Sequence, residues 1–161
     1  MSEKLPNHPK VIVFPPLIPA ATILLAICLQ YAVPIHAIAA LDRTWRIAIG
    51  SLLMTGVLLH VIGIRSMTRH GTNISPLAPT TVLVTEGVFS WTRNPFYTGG
   101  TLAMLGLAFL LVIDWLLVLA IPSAVLLHFG VVKPEETYLS ARFGDTYRHY
   151  KEAVPRYLWP L

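Results

Sequence analysis

Charged residues leave four long gaps along the chain: none stands between Lys10 and Asp42, between Arg46 and Arg65, between Arg93 and Asp114, or between Asp114 and Lys133. A helix crosses the hydrocarbon core of a bilayer with about 20 mostly apolar residues, about 17 to 25 in practice. Segments of that length fall at about 15–33, 47–64, 97–113 and 115–132. The pattern predicts an all-α, polytopic membrane helix bundle of about four transmembrane helices. The last two form a tight hairpin, because little more than Asp114 separates them. The first stretch carries Pro15, Pro16, Pro19 and Pro34, too many for one straight helix, so its N-terminal part is expected along the interface.

Two polar pieces remain, 65–96 and 133–161, with no repeat, low-complexity run or long linker, so the chain reads as one domain over 1–161. The first piece contains a β-prone run, Thr80-Thr81-Val82-Leu83-Val84-Thr85, closed by Glu86-Gly87 and expected as extended backbone against the membrane face. Pro95 suits the first turn of the third helix, with Asn94 at or near its N-cap. In the tail, Pro134 can start an amphipathic helix with Glu135 and Glu136 in its first turn and Leu139 and Phe143 on the Glu135 side. Gly144 is a natural stop, after which Asp145 can cap a second short helix that ends by Pro155.

Composition agrees with the gaps: 55% of residues are hydrophobic and 12% charged, against about 25% charged in soluble domains. Lys4, Lys10, the 65–96 loop and the tail carry most of the basic residues, whereas Arg43 and Arg46 alone mark the other side. The positive-inside rule then puts both termini, the loop and the tail in the cytosol. The formal charge of +4 suits anionic lipid headgroups, and no nucleic-acid-binding motif accompanies it. No small-residue cleavage site follows the first apolar segment, which is expected to be retained. Cys28 is the only cysteine, so no intramolecular disulfide forms, and the histidines lack metal-ligand spacing, so no metal is expected. Trp45, Trp91, Trp115 and Trp159 stand near the expected interfaces as anchors.

Taken singly, Arg93, Asn94 and Tyr97 read as helix capping and interfacial anchoring, and Glu135 and Glu136 as favourable first-turn charge. Their order carries more. Gly87-Val88-Phe89-x-x-x-Arg93-Asn94-Pro95-x-Tyr97, preceded by Leu83-Val84-Thr85, resembles the R-[HN]-P-x-Y signature of the isoprenylcysteine carboxyl methyltransferase and phospholipid methyltransferase family. After the hairpin, Glu135-Glu136-x-x-Leu139-x-x-x-Phe143-Gly144-x-x-Tyr147-x-x-Tyr150-x-x-x-Val154-Pro155-Arg156 is similar to that family's C-terminal signature. The resemblance covers about residues 65–157 and is to compact prokaryotic members, which implies a prokaryotic inner membrane as the expected location.

The resemblance implies an S-adenosylmethionine-dependent methyltransferase whose cofactor site is built from helix ends and cytosolic loops. The chain has no G-x-G-x-x-G after a strand, so a Rossmann domain is not expected. By the resemblance, Thr81, Val82, Leu83, Val84 and Phe89 hold the cofactor together with Asn94, Pro95, Phe96 and Tyr97, and Glu135 meets its ammonium. Arg93 or the amides at the start of the third helix can take its carboxylate. The acceptor is expected to be lipid-like or prenylated, to enter from the bilayer and to be surrounded by membrane lipids. A carboxylate acceptor needs no base. An amine needs one, and then His128, Glu136 or Tyr147 is a candidate, with His60 a further ionisable residue in a membrane segment. Aminophospholipid N-methylation and small-thiol S-methylation stand as alternative reactions, and a non-catalytic membrane scaffold or transporter subunit as an alternative class. The eukaryotic prenylcysteine enzymes often carry an arginine shortly before the tail glutamates; this chain has Val131-Val132-Lys133 there.

Overall fold

The structure is a computed structural model and describes residues 8–158; Lys4 and Trp159 lie outside them. Six α-helices follow one another: α1 (Leu17–Ala32), α2 (Arg43–Met54), α3 (Gly56–Arg69), α4 (Pro95–Leu111), α5 (Asp114–Leu127) and α6 (Lys133–Ala153). No strand occurs among the described residues. The β-prone run at 80–85 finds no partner strand; the Thr72 hydroxyl accepts from the Thr81 and Val82 amides, and the Tyr138 hydroxyl accepts from the Thr80 amide. Propensity without a neighbouring strand leaves an anchored loop.

The apolar helices are longer or shorter than the charge gaps for local reasons. Asp42 accepts the Thr44 amide at 2.8 Å and so starts α2 ahead of the apolar run. The α2–α3 pair, 27 residues from Arg43 to Arg69, is interrupted only at Thr55, whose hydroxyl bonds back to the Leu52 carbonyl at 2.6 Å. Gly71, at φ 65°, closes α3 with the bond pair from Thr72 N to Met67 O and from Gly71 N to Thr68 O. The α2–α3 pair and the run from Asp114 onward are long and apolar enough to cross a membrane, while α1 and α4, at 16 and 17 residues, are shorter apolar helices. Side chains such as Leu52 (70% exposed) and Ile121 (71%) cover their outer faces with hydrocarbon, as a lipid-facing surface requires.

Pro134 stands in the first turn of α6 with Glu135 and Glu136, as its position suggests, yet no break separates that turn from α5. A π-helical turn, His128–Val132, carries α5 directly into α6. Proline has no N–H for the carbonyl four residues back, Gly130, and its ring crowds that carbonyl. The wider turn gives room, and the Ile12 amide donates to Gly130 O at 2.9 Å in place of the missing bond. At Gly144 (φ 52°, ψ −126°) α6 bends, as its sequence suggests, into two arms. The tail then runs extended through Val154.

α4 lies at the centre, packed on one side against α2 and α3 and on the other against α5, which also carries α1. Small residues set the α3–α4 distance. A Cβ at Gly56 would stand 2.5 Å from Gly99 O, and one at Gly99 2.8 Å from His60 N, so these backbones touch. At the hairpin end, buried Asp114 accepts the Ile38 amide at 2.8 Å, tying the α1–α2 connection to the start of α5. Gly99→Ala is expected to lower stability by about 1–3 kcal/mol through overpacking. Gly100→Ala, whose nearest neighbour would be His60 Nδ1 at 3.9 Å, is expected to be near neutral. Thermal unfolding of both variants in detergent checks the difference.

Candidate functional site

At the loop end of the bundle, the residues from Gly87 to Asn94 form a short 3₁₀ turn followed by the entry to α4. Gly87 (φ 62°) permits the turn, which buries Val88 and Phe89. The Tyr150 hydroxyl donates to Phe89 O at 2.6 Å and fixes α6 against it. The extended tail passes beneath: Arg93 N donates to Pro155 O at 3.0 Å, Arg93 Nε to Val154 O at 3.0 Å, Thr92 Oγ1 to Arg156 O at 3.0 Å and Asn94 Nδ2 to Arg156 O at 3.1 Å. Asn94 occupies the N-cap position of α4, yet its side chain holds the tail and does not cap the helix.

Glu136 locks this arrangement. Arg93 reaches its Oε1 at 2.7 Å, and Arg156 meets Oε1 and Oε2 at 2.9 Å each, all three side chains being mostly buried. With both oxygens held by guanidiniums, Glu136 is poorly placed to take a proton from a substrate. Tyr147, buried beside Arg93, has its phenol pushed up to about 12 by burial and by the Glu136 charge, with Arg93 pulling the other way. It stays protonated at neutral pH and can donate but not act as a base.

Glu135 has the opposite surroundings. Its Oε1 accepts the Tyr97 hydroxyl at 2.7 Å, and no described residue forms an ion pair with it. Burial lifts its carboxyl to about 7, with the Tyr97 bond lowering it and the neighbouring Glu136 charge raising it further. Two adjacent carboxylates thus divide into one locked and one available.

The available one faces a cavity of about 100 Å³. Val82, Leu83, Val84, Phe89, Arg93, Asn94, Phe96, Tyr97, Glu135, Glu136 and Tyr147 all line it. Thr81 does not; it pins the loop through Thr72 and Gly71. Pro95 is buried as the first residue of α4. His128 stands apart, its Nδ1 2.8 Å from the Tyr157 hydroxyl, because the π-turn between it and Glu135 has more residues per turn and takes the two out of phase. Sequence reasoning missed the cover formed by Asn73 to Pro76 and the wall from Tyr138, Leu139 and Tyr150. The tail motif contains Leu139 and Tyr150, whereas the 73–76 segment carries turn-forming residues around Ile74 and no motif.

A second cavity, about 530 Å³ and mostly apolar, lies alongside between the start of α1 (Phe14 to Pro19), His60 and Ile64 of α3, the first turns of α4, and Leu127. Phe96, Tyr97 and the 74–76 segment belong to the walls of both cavities. No cluster of metal-ligating side chains occurs among the described residues.

The fold and site define a helical membrane protein with one chamber, the more polar of the two, lined by a carboxylate without an ion pair among the described residues and by an arginine, set against a more apolar one. The family model described as phospholipid methyltransferase matches residues 45–146, well over half the chain, and the protein belongs to that family. It is 37% identical over 78 residues to a protein-S-isoprenylcysteine O-methyltransferase of Schizosaccharomyces pombe, a match covering 46% of this chain and 31% of that enzyme. It is 38% identical over 72 residues to an uncharacterized protein of Haemophilus influenzae, covering 44% of this chain and 87% of that one. The match therefore spans about a third of the yeast relative and most of the bacterial one. No solved structure matches the chain.

Removing Glu136 strands two buried guanidiniums. Glu136→Ala is expected to cost about 3–5 kcal/mol and to free the tail for proteolysis near Val154. Denaturation and limited digestion in detergent check this; unchanged stability would contradict the lock.

Proposed function

We propose that this protein is an integral membrane methyltransferase that uses S-adenosylmethionine in the polar cavity and methylates a lipid-like acceptor held in the apolar one. The observation that carries this is the shared wall: Phe96 and Tyr97 face both cavities, and Tyr97 is bonded to the one available carboxylate. Family membership supports the reaction class.

The donor set fits the cofactor. Glu135 takes the ammonium, and Arg93, one of two guanidiniums sharing the single Glu136 charge, has positive charge left for the carboxylate. Leu83, Val84, Phe89 and Phe96 offer apolar and aromatic faces to the adenine. When bound, the cofactor supplies an electrophilic methyl on a sulfonium. The protein then contributes position and dryness: Tyr97 orients Glu135, the aromatic wall aligns the two chambers, and the cover shuts out water.

In this reading the chain crosses the membrane four times, with both termini and the polar cavity in the cytosol, following the basic residues of the loop and tail. Phe14 to Pro19 and the α3 face at His60 and Ile64 frame a side opening through which an acceptor reaches the apolar chamber from the bilayer.

S-adenosylhomocysteine binding, measured calorimetrically on purified protein, tests the site. Binding needs ionised Glu135, so its pKa near 7 makes affinity rise up to about tenfold per pH unit below 7 and level off above 8. Glu135→Gln is expected to weaken binding about 100-fold at pH 8 and to flatten the profile. Absence of binding by the unaltered protein, or an unchanged profile in the variant, would contradict the assignment.

A further inference from the structure

His60 is the titratable side chain of the apolar chamber that the cofactor site does not use. Its Nδ1 lies 3.0 Å from Phe96 O, and its ring meets Phe96 edge-on with centroids 5.7 Å apart. A carbonyl oxygen only accepts, so Nδ1 carries the hydrogen, and in the neutral ring Nε2 holds a lone pair. No described residue bonds Nε2. The other titratable group in this wall, Tyr97, is already committed to Glu135. The tight contact of Gly99 with the His60 backbone fixes where the imidazole stands, and its anchor, Phe96, borders both chambers.

We propose that His60 Nε2 receives the head group of the methyl acceptor and takes its proton, so that the site selects an acceptor whose nucleophile bears a hydrogen, an amine or a hydroxyl, over a carboxylate. This rests on the reading of the apolar cavity as the acceptor chamber. With His60 in the wall of that chamber, an unprotonated Nε2 accepts N–H or O–H, whereas a carboxylate, which has only lone pairs to offer, has no proton to give it and gains a hydrogen bond there only from a protonated ring. The acceptor heteroatom forms its bond to the methyl carbon as the carbon–sulfur bond breaks and the electron pair leaves on sulfur. Overall the acceptor loses one proton, which passes to Nε2 and then to solvent. The Phe96 carbonyl, bonded to Nδ1–H, stabilises the ring while it is charged. An alkylammonium gives up this proton before attack, and a hydroxyl gives it up during attack.

His60→Asn isolates the function, because the asparagine amide can still donate to Phe96 O while Nε2 is lost. The probes are dodecylamine, dodecan-1-ol and dodecanoate, offered with methyl-labelled S-adenosylmethionine to purified protein in detergent. Label is expected on the amine or the alcohol in preference to dodecanoate, and His60→Asn is expected to reduce that transfer about 100-fold with S-adenosylhomocysteine affinity unchanged. A second measurement does not depend on turnover: in protein with ¹⁵N-labelled histidine and bound S-adenosylhomocysteine, the Nε2 resonance of His60 should shift with dodecylamine or dodecan-1-ol and not with dodecanoate. Preferred transfer to dodecanoate, equal in His60→Asn, or an Nε2 resonance indifferent to both hydrogen-bearing probes, would overturn the role of His60 while leaving the methyltransferase reading intact. Failure of the unaltered protein to bind S-adenosylhomocysteine would overturn both.

Discussion

A carboxylate taken out of water must be compensated by charge and hydrogen bonds, and Glu136 obtains both from Arg93 and Arg156. Much of the loop end depends on that exchange. It joins the turn before α4, the first turn of α6 and the chain after α6, three segments far apart in sequence. Once joined, the bonds from Arg93, Thr92 and Asn94 to the backbone carbonyls of residues 154–156 follow, and α6 is held where Tyr150 can reach Phe89. Neutralising Glu136 also lets its neighbour Glu135 stay uncommitted, since a helix turns about 100° per residue and points the two side chains in different directions.

The second constraint is the absence of side chains where α3 meets α4. Gly56 and Gly99 let the two backbones touch, which brings His60 against the Phe96 carbonyl at the first turns of α4. The same turns present Tyr97 to Glu135. The two chambers thereby share a wall made by Phe96, Tyr97 and the 74–76 segment, and in the proposed reaction a methyl group needs to travel only across that wall.

The all-helical, apolar character of the chain and the α4–α5 hairpin were legible in the charge gaps, because the cost of a charge in hydrocarbon acts on each residue separately. Features that depend on distant partners were not. Pro134 looks like a helix start and stands in the first turn of α6, but the unbroken passage from α5 depends on a π-turn whose Gly130 carbonyl is taken by the Ile12 amide, more than a hundred residues away. Residues 80–85 look like a strand until it is clear that nothing pairs with them. The two linked motifs point to most residues around the polar cavity, yet the different surroundings of Glu135 and Glu136 come from Arg156 and Tyr97, and His128 leaves the cavity side because of a π-turn that no local pattern announces. His60 carries no motif; its interest lies in a bond to Phe96 and a cavity that exist only in the folded chain.

The central claim is that a methyl passes from the polar chamber to an acceptor in the apolar one. The direct measurement is to incubate the protein, in native membranes, with methyl-labelled S-adenosylmethionine and to follow the label into the lipid extract. The account predicts label in the lipid phase that disappears when Glu135 is replaced by Gln. Label confined to water-soluble products, with S-adenosylhomocysteine demonstrably bound, would contradict it.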